Sequence, residues 1–281
     1  MQQKEKILIT GASTGIGHAL TFRAHSEGHP LILLVRTPAD KERMRQNFSR
    51  SLSGAEADVY SCDLSCKKDI ESVLTLIDEK HQSIDILINN AALYTETREE
   101  TIEGLELTFA VNTLAPYRLI QGLSNLLVRS SHPRVINICS IGERYAKLNF
   151  ADPMSKLQYS GNVAYNNSKL LLTMVTYKFA SLYKDSISFI CVHPGATQTD
   201  LISDTDFKEM PILLRSIFAI MRKFRQHPER AASYIYDIAM TSALYTACGN
   251  FFDKSRPIVS SETSRDRNNI EWAWALCSDL A

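Results

Sequence analysis

The chain has 281 residues, with 31 basic and 31 acidic side chains, so its formal net charge at pH 7 is zero. This balance lacks the positive charge of a nucleic-acid-binding protein, so no nucleic-acid partner is expected. The apolar runs fall short of the roughly 18 residues that cross a membrane, and the N-terminal residues lack the features of a signal peptide. We therefore expect a cytoplasmic protein without a transmembrane span. The six cysteines lack the C-x2-C spacing of a zinc site, so neither a metal nor disulfides are expected.

Seven short apolar runs predict β-strands, and most are continuous, as in strands that are covered on both faces. They lie at residues 6–10, 31–35, 57–62, 84–89, 134–139, 187–192 and 249–253. Helical periodicity lies between them, at residues 16–27, 67–80, 103–129, 163–183 and 228–245. The alternation predicts an α/β fold: a doubly wound, mostly parallel, seven-stranded sheet with helices on both faces. No linker or internal repeat interrupts residues 1–281, so one domain is predicted.

Two long stretches interrupt the alternation of strands and helices. Residues 141–162 and 197–227 both follow predicted strand ends, where the ligand pockets of parallel sheets are usually built. We assign both to substrate binding. Within the second, residues 212–225 combine apolar side chains with arginine and lysine, which is typical of an amphipathic helix. Such a helix either covers an apolar pocket or rests peripherally on an anionic membrane, and both alternatives favour a lipophilic or aromatic substrate.

A glycine-rich turn, TGASTGIG at residues 10–17, follows the first predicted strand. Glycine permits a tight turn and close backbone approach, and the helix that follows offers free amides to a pyrophosphate. A plain connecting turn is the alternative, but the place between a strand and a helix favours a dinucleotide site. The residues assigned to the coenzyme are Gly11, Ser13, Thr14, Gly15, Ile16 and Gly17.

Arg36 follows the second predicted strand, where NAD sites carry a carboxylate. A guanidinium there suits the 2′-phosphate of NADP(H), so NADP(H) is favoured over NAD(H); a solvated loop arginine is the alternative. Asp63 and Leu64 follow the third strand, where they are placed to contact the adenine end of the coenzyme. Asp63 could also cap a helix.

Tyr165 and Lys169 lie four residues apart in the stretch YNNSK, so a helix places them on one face, one turn apart. Hydride transfer to a carbonyl leaves an alkoxide that needs a proton donor. An ordinary tyrosine has a pKa of about 10. An ammonium one turn away, together with an oxidised nicotinamide, would lower it. The pair is interpreted as a proton donor and its activator, with surface residues as the alternative.

Six motifs of the chain stand in an order that carries a family resemblance. They are TGASTGIG (10–17), NNAA (89–92), VN (111–112), ICS (138–140), YNNSK (165–169) and HPGATQT (193–199). Across nearly the whole chain they resemble the motifs of short-chain dehydrogenases/reductases, which implies a single-domain Rossmann fold. NNAA replaces the family's Asn-Asn-Ala-Gly, and Ser13 and Thr14 leave no second basic residue before Gly15.

The C-terminal third and the long gap between Ser140 and Tyr165 resemble one branch of this family. The branch is that of the retinol dehydrogenases and protochlorophyllide reductases. The stretches that carry this resemblance are HPERAA (227–232), GNFFD (249–253) and EWAWALC (271–277). The membrane anchor that precedes the domain in many animal members is not expected here.

The family resemblance also implies roles for single residues. Tyr165 is the catalytic acid or base, and Lys169 binds the nicotinamide ribose while lowering the tyrosine pKa. Ser140 hydrogen-bonds the substrate oxygen, and Asn112 holds a water of the proton relay. Taken singly, Ser140 could be a plain strand-end hydroxyl, and Asn112 a polar residue that braces a helix. The further coenzyme contacts are Asn89, Ala91, Pro194, Gly195, Thr197 and Thr199.

Together these residues predict an NADP(H)-dependent oxidoreductase that interconverts a carbonyl and an alcohol, acting as a reductase because NADPH usually drives reduction in cells. The alternatives are reduction of an activated C=C bond by the same tyrosine, and a non-catalytic NADP(H)-binding sensor or scaffold. A sensor would tolerate damaged catalytic positions, whereas all of them are intact in this sequence. The resemblance also implies a homodimer, formed through the helices at residues 103–129 and 163–183.

Overall fold

The structure of the protein is a computed structural model that describes residues 4–49, 55–197, 226–241 and 248–281. Within these ranges eight strands form one sheet. They are β1 (Ile7–Thr10), β2 (Leu31–Val35), β3 (Ala57–Ser61), β4 (Ile86–Asn89), β5 (Arg134–Ile138), β6 (Ser188–His193), β7 (Asn250–Asp253) and β8 (Arg256–Ile258).

The sheet has the order β3-β2-β1-β4-β5-β6-β7-β8. Strands β1 to β7 pair in parallel, and β8 pairs antiparallel with β7. The predicted doubly wound, mostly parallel sheet is therefore confirmed. The direction of winding reverses between β1 and β4, and sheets of this kind bind ligands in the crevice outside the carboxyl ends at that point.

The predicted count of seven strands was one too low, because β8 was missed. This strand has only three residues, Arg256, Pro257 and Ile258, and none of them is buried. Proline is tolerated in a sheet almost only at an edge, where β8 lies. A strand this short and exposed leaves no apolar run in the sequence.

Helices cover both faces of the sheet. They are α1 (Gly15–Ser26), α2 (Pro38–Ser49), α3 (Lys67–Lys80), α4 (Leu107–Phe109), a π-helix (Ala110–Leu114), α5 (Ala115–Leu127), a 3-10 helix (Ile141–Tyr145), α6 (Gly161–Leu182), α7 (Pro228–Met240), α8 (Glu262–Arg265) and α9 (Arg267–Leu280). The five predicted helical regions are all present. The last was expected to run to residue 245, but α7 ends at Met240, and residues 242–247 lie outside the described ranges.

Helix α2 was not predicted, because its sequence has no apolar stripe. Met44 is its fully buried side chain, and the residues on both sides of Met44 are exposed. Without an apolar residue at every third or fourth position, the helical period cannot be read from the sequence. This helix lies between β2 and β3 in the chain, and its Arg43 side chain reaches the glycine turn.

The hydrophobic core lies on the two faces of the sheet. Every residue of β1, β2, β4 and β5 is buried. One face packs against α3, α5, α6 and α9, through side chains such as Ile77, Leu123 and Phe179. The other packs against α1, α2 and α7, through Leu20, Met44 and Ile235. Strands that are covered on both faces explain the continuous apolar runs.

The C-terminal helix α9 packs against α5 and α6. The Trp274 ring lies 5.1 Å from the Tyr117 ring and 4.9 Å from the Phe179 ring, between centroids. The Lys178 ammonium of α6 pairs with the Glu271 carboxylate of α9 at 2.6 Å. The chain itself therefore covers part of the two helices that were expected to form a homodimer, and the homodimer stays a prediction.

Membrane spans, metal sites and disulfides were each considered from the sequence. Among the described helices, none is both long and apolar enough to cross a bilayer. In the same part of the chain, no cluster of three or more His, Cys, Asp or Glu side chains is arranged to hold a metal ion. All six cysteines are free thiols.

Candidate active site

Tyr165, Lys169 and Ser140 come together at the carboxyl edge of the sheet. Helix α6 carries the tyrosine and the lysine on successive turns, and the Lys169 Nζ lies 5.8 Å from the centre of the Tyr165 ring. Ser140 lies two residues after the end of β5, its hydroxyl accepts from the Gly142 amide at 3.0 Å, and its side chain is near enough to the Tyr165 phenol to lower the pKa of that phenol. The four-residue spacing on α6 thus places the Lys169 ammonium beside the Tyr165 phenol, and Ser140 lies near the same phenol.

Burial dominates the acidities of this pair. Lys169 is 2% exposed, and its ammonium donates to the Ile138 carbonyl at 2.9 Å. Burial lowers the pKa of Lys169 to about 8, partly opposed by the neighbouring Cys139. Burial raises the pKa of Tyr165 to about 12, although the hydrogen bond with Ser140 acts the other way. Burial is therefore the largest effect on the tyrosine pKa in the protein itself, and the phenol stays protonated at neutral pH. The lowering expected from the lysine together with an oxidised nicotinamide stays a prediction.

Asn112 lies in the π-helix that separates α4 from α5, and it is 1% exposed. Its side-chain amide donates to the Leu93 carbonyl at 2.9 Å and to Ser168 Oγ at 3.1 Å, and its Oδ1 accepts from the Leu93 amide. Both amide hydrogens are thus used to join the loop after β4 to α6. A π-turn inside a helix often marks a functional site.

The backbone carbonyl of Asn112 has a different environment from its side chain. In a regular helix the amide four residues later would bond to it, but that residue is Pro116, which has no N–H. A carbonyl oxygen has two lone pairs and can accept from a water, whereas both hydrogens of the side-chain amide are already used. If Asn112 holds a water, the backbone oxygen is the better candidate.

The glycine turn has the close backbone approach that the sequence predicts. Gly11 and Gly15 have φ angles of +64° and +53°, in the left-handed region that favours glycine. A Cβ on Gly17 would lie 2.1 Å from the Gly11 carbonyl oxygen, so a larger residue does not fit there. Thr14 precedes α1 without a capping side-chain bond, and the first amides of the helix are left for a ligand. Beside them, Ser13 and Ile16 are half-buried.

Asn90 supports this turn and was missed by the sequence analysis. Its side-chain amide donates to the Thr10 carbonyl at 2.9 Å, and its backbone amide donates to Thr10 Oγ1 at 3.0 Å. The Ala91 amide donates to the same hydroxyl at 2.9 Å. The preceding Asn89 is buried and donates to Asn137 Oδ1 across β4 and β5 at 2.8 Å. The doubled asparagine in NNAA was the signal that could have identified both roles.

Arg36, Asp63 and Leu64 lie at the ends of β2 and β3. Arg36 is exposed directly after β2. Asp63 Oδ1 accepts from the Ser65 amide at 2.9 Å and from its hydroxyl at 2.7 Å, so this carboxylate shapes a turn. The residue that precedes α3 is Cys66, and the alternative of Asp63 as a helix cap is wrong. Leu64 packs into the core face that contains α3.

The turn after β6 contains the last group of predicted coenzyme contacts. Gly195 has a φ angle of +87°, and the Thr197 hydroxyl donates to its carbonyl at 3.0 Å. Gln226 closes the turn: its amide donates to the Ala196 carbonyl, and its side chain donates to the Pro194 carbonyl. Thr199 lies outside the described residues, as do residues 198–225 of the second predicted substrate segment, including 212–225.

An aromatic ring of the loop after β4 lies beside Tyr165, and the predicted substrate segment at residues 141–162 packs against that loop. The Tyr94 and Tyr165 rings lie 6.2 Å apart, and Tyr159 bonds Thr95 at 2.8 Å between oxygens. Farther out, Tyr145 is 70% exposed. The aromatic ring near the phenol therefore comes from the loop after β4, and the segment after Ser140 bonds to that loop through Tyr159.

Glu143 anchors the 3-10 helix that follows Ser140, a role that was not predicted. Its carboxylate is 2% exposed and accepts from the Ser261 amide at 2.9 Å and from the Ser261 hydroxyl. These bonds join the catalytic edge of the sheet to a residue 118 positions later in the chain. No local pattern reports a contact across that separation.

We expect Glu143→Ala to lower the free energy of unfolding by about 2–3 kcal/mol, because hydrogen bonds to a buried carboxylate are lost and the partly buried Ser261 amide is left without this partner. Urea denaturation measures the change. Glu79→Ala, at an exposed position of α3, is the control and should be nearly neutral. Equal midpoints for Glu143→Ala and the control would show that the anchor contributes nothing.

Comparison with known proteins places this geometry in a family. The family described as short chain dehydrogenase matches residues 5–209. Human retinol dehydrogenase 11 is 26% identical over 277 residues, which cover 98% of this chain and 85% of that protein. Dehydrogenase/reductase SDR family member 12 of Bos taurus is 31% identical over 193 residues, which cover 68% of this chain and 60% of that protein.

The fold is also found among solved structures. YwfH, an NADPH-dependent reductase involved in bacilysin biosynthesis, superposes with a TM-score of 0.72 at 19% identity. The match covers 92% of this chain and 100% of that chain, so the likeness extends over the sheet and its helices. The family match, the sheet order and the Ser140–Tyr165–Lys169 arrangement agree, and the chain belongs to the short-chain dehydrogenase family.

Proposed function

We propose that the protein is an NADP(H)-dependent oxidoreductase that interconverts a carbonyl and an alcohol and acts as a reductase. The observation that carries the proposal is the group of Tyr165, Ser140 and Lys169 at the carboxyl edge of the sheet, beside the glycine turn. The phenol is protonated at neutral pH, as a proton donor for reduction must be. The retinol dehydrogenases among the relatives support the reaction class.

The residues present fit a nicotinamide dinucleotide. Gly17 has no room for a Cβ, and the first turn of α1 keeps its amides free of side-chain caps, which suits a pyrophosphate. The buried Lys169 ammonium would hold the nicotinamide ribose. Arg36, exposed at the end of β2, would meet the 2′-phosphate that distinguishes NADP(H) from NAD(H). The name of the similar reductase YwfH, which gives NADPH, supports the same choice.

The proton chemistry follows from the positions of the side chains. When bound, the coenzyme supplies the hydride that reaches the carbonyl carbon. The Tyr165 hydroxyl would then give its proton to the carbonyl oxygen, and the Ser140 hydroxyl would hold that oxygen by a hydrogen bond. The Lys169 ammonium beside the ring would stabilise the phenolate that results. The Asn112 carbonyl would hold a water through which the phenolate regains its proton.

We further propose a lipophilic or aromatic substrate. The Tyr94 ring lies next to the reacting phenol, and Tyr145 and Phe150 present partly exposed rings on the segment that follows Ser140. The similar human protein is a retinol dehydrogenase, and retinol is an apolar alcohol. Loss of NADPH absorbance with a panel of short, branched and aromatic aldehydes tests this choice. Preference for the short members would contradict it.

Arg36→Asp is expected to weaken NADPH binding by about tenfold or more and to strengthen NADH binding, because the carboxylate repels the 2′-phosphate and accepts from ribose hydroxyls. Titration calorimetry with each coenzyme measures both affinities. Lys41→Asp, with the same charge change on α2, is the control for a general electrostatic effect. An unchanged preference for NADPH in Arg36→Asp would remove the role given to Arg36.

A further inference from the structure

Helix α2 brings a second arginine to the glycine turn. Arg43 Nη2 donates to the Ser13 carbonyl at 3.4 Å, and Ser13 lies in the loop between β1 and α1. The Arg43 side chain is 54% exposed, so the guanidinium lies at the surface of the crevice rather than in the core. It thus approaches the dinucleotide turn from the side of β2, which is the side of Arg36.

A short chain of hydrogen bonds orients this guanidinium. Asp40 Oδ1 accepts from Arg43 Nη2 at 2.6 Å, and Asp40 Oδ2 accepts from the Thr37 hydroxyl at 2.7 Å. Thr37 Oγ1 in turn accepts from the Asp40 amide at 3.1 Å, which caps the start of α2. Because Thr37 follows Arg36 directly, the bonds lead from the end of β2 to the glycine turn.

The donor capacity of Arg43 is only partly used. Both of its hydrogen bonds come from Nη2, and within the described ranges no group accepts from Nη1 or Nε. A guanidinium has five N–H donors in a planar fork, so one edge stays available for a phosphate. The pre-oriented side chain also loses less freedom when it binds.

The charges around this edge suit a dianion. Arg36 and Arg43 carry two positive charges, and the Asp40 carboxylate carries one negative charge. His18, on the first turn of α1, also faces Arg43; burial and this guanidinium both lower the pKa of the imidazole, which therefore adds little charge at neutral pH. The local balance is one positive charge before a ligand binds.

We propose that Arg43, together with Arg36, binds the 2′-phosphate of NADP(H). This inference rests on the proposed function, and it supplies the second cation for which the sequence offered only Ser13 and Thr14. Arg36 comes from the loop after β2 and Arg43 from the second turn of α2, so the phosphate is held from two sides. Asp40 is a positioning residue, since it holds Arg43 in place and touches no phosphate itself.

Calorimetric titration with two probes tests the proposal: 2′,5′-ADP, which has the 2′-phosphate, and 5′-AMP, which lacks it. Arg43→Gln is expected to weaken 2′,5′-ADP binding about tenfold, as the loss of one charge-assisted contact does, and to leave 5′-AMP binding within about twofold. Arg45→Gln removes the same charge from an exposed position of α2 and is the matched control. It should leave both affinities unchanged.

Three outcomes would overturn the proposal. If Arg43→Gln binds 2′,5′-ADP as tightly as the wild type, Arg43 does not contact the phosphate. If Arg43→Gln weakens the binding of both probes equally, Arg43 only maintains the glycine turn. Arg43→Lys keeps the positive charge and therefore separates this role from a phosphate contact. If the wild type does not distinguish the two probes at all, the NADP(H) preference fails first, and Arg36→Gln will then also have no effect.

Discussion

Replacement of Tyr165 by phenylalanine is expected to lower kcat for carbonyl reduction by about a thousandfold and to leave coenzyme affinity within about twofold. The hydroxyl is the only group removed, and general acid catalysis typically contributes factors of about 10² to 10⁴. Because the pKa of Tyr165 is raised to about 12, the wild-type phenol carries its proton throughout the neutral range. The difference in kcat between wild type and variant should therefore be the same at any neutral pH.

The measurement is steady-state reduction of an aldehyde by NADPH, combined with direct titration of the coenzyme. The matched control is Tyr177→Phe, because Tyr177 lies on the same helix and its hydroxyl also bonds a serine, Ser260, at 2.7 Å. Tyr177 lies about three turns of α6 beyond Tyr165, about 18 Å along the helix axis, so its replacement should lower the activity little. A Tyr165→Phe enzyme with nearly full kcat would mean that another group donates the proton.

Lys169→Met is expected to lower kcat by about a hundredfold, weaken coenzyme binding and stabilise the fold. The activity falls because the phenolate loses its neighbouring cation. The folded state becomes more stable because a buried ammonium is removed. Lowering the pKa of Lys169 from 10.5 to about 8 corresponds to a cost of about 3 kcal/mol for burying the charge. The Ile138 carbonyl loses its donor, which costs about 1–2 kcal/mol, so a net gain of about 1–2 kcal/mol is expected at pH 7.

The pH dependence of this gain has a definite sign. Below pH 8, Lys169 is charged in both the folded and the unfolded protein, and the burial cost is fully present. Between pH 8 and 10.5 the folded protein releases a proton that the unfolded chain keeps, so the wild type gains stability relative to Lys169→Met. Urea unfolding of both proteins at pH 7 and pH 9.5 should show the difference shrinking. A difference that grows with pH would contradict the assigned shift.

The success of the sequence analysis at the site has a local cause. Tyr165 and Lys169 are four residues apart on one helix, so their neighbourhood follows from the helical period alone. The glycine turn is equally local, since it joins one strand to the next helix. Their acidities were harder to predict, because burial is set by segments distant in sequence. Burial raises the tyrosine pKa, and the downward shift expected with an oxidised nicotinamide bound stays a prediction.

The features that escaped the sequence depend on contacts across the fold. Helix α2 has a single buried apolar residue, so neither the helix nor the direction of Arg43 was visible in the pattern. The Glu143–Ser261 bonds join residues 118 positions apart. Strand β8 is only three residues long. In each case the structure depends on which distant segment packs against the residues concerned. The local periodicity of a sequence does not carry that information.

The central claim is that hydride reaches a carbonyl carbon and a proton from Tyr165 reaches its oxygen. The most direct measurement uses NADPH deuterated on both C4 positions, with an aromatic aldehyde and an α,β-unsaturated ketone as competing acceptors, and locates the deuterium in the products by NMR. The account predicts one deuterium on the carbon that carries the new hydroxyl. Deuterium on the β-carbon of a saturated ketone would show C=C reduction instead, and no transfer from tightly bound NADPH to either acceptor would contradict the catalytic assignment.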